Sequence, residues 1–83
     1  MKVRIKLYKS YHQYIDKDIT INEGIIELEL EKGTSIRKLI NYLNIPEEEV
    51  KIIMVNSRPK TLDSILNDED YIFIFPPVAG GWR

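Results

Sequence analysis

At 83 residues the chain has room for one small domain around one core, and a two-domain organisation is excluded. Hydrophobic residues make up 43% and charged residues 30%, enough apolar area to offset chain entropy, so a folded globular chain is expected and a disordered one is not. Twelve Lys and Arg against thirteen Asp and Glu leave a net charge of -1, too weak a field to make nucleic acid a partner, and the absence of cysteine removes disulfides, thiolate-held metals and a cysteine nucleophile.

Charged alternation begins at Met1, and no apolar run reaches signal-peptide or membrane-spanning length. A cytoplasmic location with no membrane partner is the expectation. Val3, Ile5 and Leu7 alternate with Lys2, Arg4, Lys6 and Tyr8, which predicts a half-buried first strand over residues 2–8. Residues 9–24 are mostly polar with scattered Tyr11, Tyr14, Ile15, Ile19 and Ile21, and read as a loop containing a short helical turn. Ile26, Leu28 and Leu30 against Glu27, Glu29 and Glu31 predict a second strand, whose carboxylates the lysines of the first can face.

Gly33 ends that strand, and Thr34 is the expected cap of a helix whose stripe is Ile36, Leu39, Ile40 and Leu43. The helix should stop at Asn44, in the left-handed conformation, with Ile45 folding back and Pro46 unable to continue. Pro46 and Glu47, Glu48 and Glu49 then read as a solvated helical turn. Residues 51–55 form a β-branched strand, Asn56-Ser57 a turn, and Leu62, Ile65 and Leu66 a helical turn under the sheet. Asp68-Glu69-Asp70 bends the chain into a last strand, Tyr71 to Phe75, which Pro76 terminates because it brings no ladder donor. The class is α+β: a mixed sheet of four to five strands, one covering helix, and a tail over residues 76–83.

The sequence offers no catalytic constellation and no metal site. His12 has no carboxylate or hydroxyl at triad or ligand spacing and is expected at the surface, and Arg58 and Lys60 read as solvated charges on a hairpin. In the last strand Ile72 and Ile74 should face the core, leaving Tyr71, Phe73 and Phe75 in a row on the other face as a partner surface, unless the long second loop covers them.

Four stretches give the chain a resemblance to the ubiquitin-like β-grasp sulfur carriers, the family of the small subunit of molybdopterin synthase and the thiamin sulfur carrier. They are Gly33-Thr34-Ser35-Ile36-Arg37-Lys38-Leu39-Ile40, Val55-Asn56, Asp68-Glu69-Asp70-Tyr71-Ile72, and Phe75-Pro76-Pro77-Val78-Ala79-Gly80-Gly81. The second and third lack a glycine usual in the family, Ser57 standing in the hairpin where Asn-Gly is common. The resemblance implies a carrier and not an enzyme. Gly81, preceded by Gly80, would be adenylated by a partner resembling the ubiquitin-activating enzymes, which uses ATP and magnesium, and converted to a thiocarboxylate for a sulfur-accepting synthase subunit in molybdopterin, thiamin or related biosynthesis.

Glycine suits that chemistry because it has no Cβ to obstruct a narrow cleft, and Pro76 and Pro77 stiffen the root of the tail. Phe75, Phe73, Tyr71, Pro76, Pro77, Val78 and Ala79 would meet the partner. In this chain Gly81 is amide-linked to Trp82, with Arg83 beyond. The resemblance therefore implies a proform, with Trp82 and Arg83 removed by a metalloprotease before activation. Two other readings stand beside it: a ubiquitin-like modifier joined to lysines of target proteins, and an interaction module with an inert tail.

Overall fold

Alternating apolar and charged residues become strands whose apolar side chains turn to one face, as in the strand over Lys2–Leu7, where Val3, Ile5 and Leu7 are buried. A computed structural model describes residues 1–77. The strands are β1 (Lys2–Leu7), β2 (Ile25–Glu29), β3 (Ile52–Val55), β4 (Arg58–Lys60) and β5 (Tyr71–Phe75), with one α-helix, α1 (Ile36–Tyr42), and 3-10 turns at Lys9–Tyr14 and Glu47–Glu49. They form one sheet in the order β2-β1-β5-β3-β4. The first and last strands lie side by side and parallel at its centre, and the other neighbours are antiparallel.

One face carries the core. Ile36, Leu39, Ile40 and Leu43 of the helical stripe are fully buried in one cluster with Val3, Ile5, Leu7, Ile26, Ile72 and Ile74. The loop after β1 contributes more than expected from its polar sequence. Tyr11, in the first 3-10 turn, is buried, and its hydroxyl donates to the Glu49 carbonyl at 2.6 Å, which ties that loop to the turn after the helix. Burial, reinforced by the nearby Glu49 carboxylate, holds the phenol well above its usual pKa. His12, expected at the surface, is half-buried, and its Nε2 is enclosed without a partner among the described residues.

The helix ends show which side chains do the capping. Ser35, and not Thr34, is the N-cap: its hydroxyl accepts from the Lys38 N–H at 3.1 Å, while the Thr34 hydroxyl donates back to the Glu31 carbonyl at 2.6 Å. At the other end Asn44 takes φ 65°, the Ile45 N–H reaches the Ile40 carbonyl and the Asn44 N–H the Asn41 carbonyl, and Ile45 is buried against the helix as its sequence predicts.

The helical turn expected at Leu62, Ile65 and Leu66 is absent. That segment instead turns at Leu62 and Asp63, where the Ser64 N–H donates to the Thr61 carbonyl at 3.1 Å, and crosses the helix N-terminus, the Leu62 and Ser64 carbonyls accepting the Arg37 and Ile36 N–H groups at 2.9 Å. Those donors have no partner within the helix, and meeting them outweighs the helical spacing of three apolar residues. Leu66 alone of the three is buried, and Ile65 is 55% exposed.

Each of the two stretches that lack a glycine usual in the resembled family has a non-glycine residue on left-handed backbone. In the β3–β4 turn Asn56 and Ser57 have φ of 53° and 70°, and Glu69 in the acidic bend has 70°. Neither the Ser57 nor the Glu69 side chain makes a hydrogen bond among the described residues, so each position carries strain with nothing local to offset it. Ser57→Gly and Glu69→Gly are each expected to stabilise the fold by roughly 0.5 kcal/mol, the left-handed penalty relieved less the added entropy of an unfolded glycine. Thermal unfolding of the two variants checks this, and a lowered midpoint would contradict it.

Candidate functional site

The face of the sheet away from the helix is uncovered, and its side chains fall into columns. β2 contributes Glu27 and Glu29, β1 contributes Lys2, Arg4 and Lys6, β5 contributes Tyr71, Phe73 and Phe75, and β3 contributes Ile52 and Met54. Of the lysines expected to face these carboxylates, Lys2 is opposite Glu29, which instead pairs with the Met1 ammonium at 3.3 Å, while Glu27 is opposite Arg4 at 3.9 Å. The register places Phe73 between Lys6 and Met54, Phe75 beside Ile52, and Tyr71 beside Arg4.

Phe73 and Phe75 stack with ring centroids 4.4 Å apart, and Tyr8 tilts onto both at 5.9 and 5.6 Å. The row is therefore not buried by the long loop. Tyr8, the first residue beyond β1, covers its end, while Tyr71 stays 41% exposed and Ile52 49%. A shallow hollow lies among Met54, Ser57, Tyr71, Phe73 and Phe75. The aromatic surface is thus wider than the three residues of β5, since Tyr8, Ile52 and Met54 join it. Alternation along β1 and β3 already assigns them to that face; what the sequence lacks is the order of the strands.

Both ends of β5 are pinned. At its start the buried Asp70 carboxylate accepts from Asn56 Nδ2 and from the Asn67 N–H, each at 2.8 Å. The Asn56 Oδ1 accepts from the Tyr71 N–H at 3.0 Å, and the Asn56 N–H donates to the Tyr71 carbonyl at 2.9 Å. The acidic bend thus holds one buried acid that clamps the hairpin turn to the last strand. At the far end the Phe75 carbonyl accepts from the Lys51 N–H at 2.9 Å, after which Pro76 is half-buried and Pro77 exposed. Val78, Ala79, Gly80, Gly81, Trp82 and Arg83 lie outside the described residues. Arg58 and Lys60 are exposed on the edge strand, and among the described residues no group of three or more His, Asp or Glu is placed to hold a metal.

The sequence profile of the ThiS family matches residues 13–81. The chain belongs to the ThiS family. The match takes in the helix, β2 to β5, the two prolines and the glycine pair, and it stops before Trp82. Comparison with curated proteins yields no significant match for this ThiS-family chain. Among solved structures it is similar to a putative molybdopterin converting factor, subunit 1, from Pyrococcus furiosus, with 27% identity and a TM-score of 0.65 over 94% of this chain and 99% of that one. It is also similar in fold to SAMP1 from Haloferax volcanii, with 12% identity and a TM-score of 0.67 over 98% and 100% of the two chains. A second Haloferax volcanii structure, of small archaeal modifier protein 1, has 11% identity and a TM-score of 0.68 over 93% and 98%. The fold of the ThiS-family chain is accordingly the ubiquitin-like β-grasp, and no helix among its described residues is long and apolar enough to cross a membrane.

Proposed function

We propose that this chain is a sulfur carrier whose working group is the carboxylate of Gly81, freed by cleavage of the bond to Trp82. The observation that carries the reading is the family match, which runs through the glycine pair and ends at Gly81. A glycine carboxylate is ionised at neutral pH and can attack the α-phosphorus of ATP held with magnesium by an activating partner, releasing pyrophosphate. Hydrosulfide supplied by the partner then displaces AMP from the acyl carbon with loss of one proton, leaving a thiocarboxylate for a synthase subunit to consume. The carrier supplies the chain end and a docking face, and the partners supply the catalysis.

The docking face in this proposal is the aromatic surface around Tyr71, Phe73 and Phe75, continued by Pro76, Pro77, Val78 and Ala79 into the tail. Its support is geometric. Exposed aromatic side chains on a rigid sheet bury large area at small entropic cost, and both ends of β5 are held by hydrogen bonds. Phe73→Ala is expected to weaken binding to the activating enzyme by roughly tenfold with the far-UV circular dichroism unchanged. Equal affinity for both forms would remove this face from the interface.

The reading is tested by intact-mass analysis of the protein recovered from its own cells. A species ending at Gly81 with one sulfur in place of one oxygen is the expected result. A chain that always retains Trp82 would overturn the proform, and isopeptide adducts of Gly81 on lysines would replace the carrier by a protein modifier, the use named for the structural relatives from Haloferax volcanii.

A further inference from the structure

The two edges of the sheet are not alike. At the β4 edge the two-residue turn makes Val55 and Arg58 the first pair to exchange hydrogen bonds, so Pro59, one step on, turns its backbone outward and has no N–H to offer. That edge is blunted. At the β2 edge Met1 and Leu30 exchange both bonds, at 2.8 and 2.7 Å, and the Leu7 N–H donates to the Gly24 carbonyl at 2.8 Å. Alternation between these points makes Val3–Leu28 and Ile5–Ile26 the bonded pairs, and it aims the N–H and C=O groups of Glu27 and Glu29 away from β1.

Among the described residues nothing meets those four groups. The preceding outward position, Ile25, is closed: its carbonyl accepts from the Asn22 N–H at 2.9 Å and its N–H donates to the Asn22 carbonyl at 3.0 Å. The loop before β2 thus covers one step of the edge and then leaves it. Beside the free steps lies a cleft of about 660 Å³, lined by Leu28 and Tyr42 as well as Asp18, Glu23, Glu27 and Arg4. Arg4 is the single cation lining the cleft, and it already faces Glu27.

We propose that the free edge of β2 takes up an extended segment of a partner protein with the pattern basic, apolar, basic. An antiparallel strand bonded to Glu27 and Glu29 sets one residue opposite each, and opposed residues share a face of the sheet. Those two side chains stand against the Glu27 and Glu29 carboxylates, which pair with Arg4 and the Met1 ammonium but remain exposed, so Lys or Arg can share them. The residue between them turns to the helix side, toward Leu28 and the 57% exposed ring of Tyr42, and an apolar side chain fits that position. A second copy of this chain pairing through β2 would set glutamate against glutamate, and the like charges disfavour it. The aromatic face around Phe73 lies on other strands, so the edge can be occupied whether or not Gly81 is activated.

The test is a titration of the isotope-labelled full chain with the acetylated, amidated peptide Thr-Lys-Val-Lys-Thr, followed by amide chemical shifts. Shifts at Glu27, Leu28, Glu29 and Tyr42, lost when the two lysine amides of the peptide are N-methylated, are the expected result, because methylation removes the donors that main-chain pairing needs. The protein variant carrying both Glu27→Lys and Glu29→Lys should bind roughly tenfold more weakly. Binding that survives N-methylation, equal binding of a Thr-Glu-Val-Glu-Thr peptide, shifts confined to Tyr71–Phe75, or self-association through β2 would each overturn the proposal.

Discussion

Incubated with its activating enzyme, ATP and magnesium, a chain ending at Gly81 is expected to form an acyl-adenylate, and the chain carrying Trp82 and Arg83 is expected to form none. The difference is one of chemical groups and not of fit. In the longer chain the Gly81 carbonyl belongs to an amide, which has no ionised oxygen to attack phosphorus. In the shorter one it is a carboxylate on the least obstructed backbone available. The measurement is pyrophosphate release, backed by the mass of the product after a sulfur donor is added. Adenylation of the longer form would contradict the proform directly, and failure of both forms would remove the carrier chemistry itself. A third chain, ending at Gly81 but with Gly81→Ala, separates threading from ionisation: it keeps the carboxylate and should still lose most of its rate.

Asp70→Ala should destabilise the domain by about 2 to 3 kcal/mol. A hydrogen bond to a charged group contributes about 1.5 to 3 kcal/mol; Asp70 accepts two, and the figure is discounted because Asn56 and Asn67 are exposed and can turn to water. Against a total of about 5 kcal/mol for a domain of this size that is a large fraction. Asp70→Asn should cost about half as much, because both partner groups are donors and an amide has one oxygen to give them. Glu69→Gln, one residue away with an exposed side chain that bonds to nothing described, should be nearly silent. Chemical denaturation orders the three variants, and an Asp70→Ala loss no larger than that of Glu69→Gln would mean the clamp contributes nothing.

What the sequence discloses about this fold follows from how local each signal is. The first and last strands, the strand before Asn56, the helical stripe and the stop at Asn44 and Ile45 rest on spacing within a few residues and appear close to where expected, while β2 begins and ends earlier than its alternation and β4 reads from the sequence only as part of a hairpin. Most of the errors are long-range. Thr34 reads as the cap because it follows a glycine, yet Ser35 takes the role once the Ile65 segment fixes the helix entry from the other end of the chain. Leu62, Ile65 and Leu66 have helical spacing, but the carbonyls around them are needed by the N–H groups of Ile36 and Arg37, far earlier in the chain. Asp70 sits in an acidic triplet whose local sequence does not mark one member for burial, and its carboxylate meets Asn56 across the hairpin. Tyr71, Phe73 and Phe75 were legible as an outward row, whereas Tyr8, Ile52 and Met54 join them only through the order of the strands. The open edge of β2 was not legible at all, since an unpaired backbone is a property of neighbours that a sequence does not list.

The parallel pairing of β1 with β5 has a consequence for how the protein is made. The strand at the middle of the sheet is the last to be synthesised, and until residue 75 exists the β1–β2 pair and the β3–β4 hairpin have no common neighbour to join them. Contacts between the first and last strands close the longest loop the chain can form, which makes folding late and cooperative instead of stepwise along the chain. A ribosome therefore releases the glycine pair only after every strand needed to hold it has been made, and any truncation that removes β5 forfeits the whole sheet together with the tail.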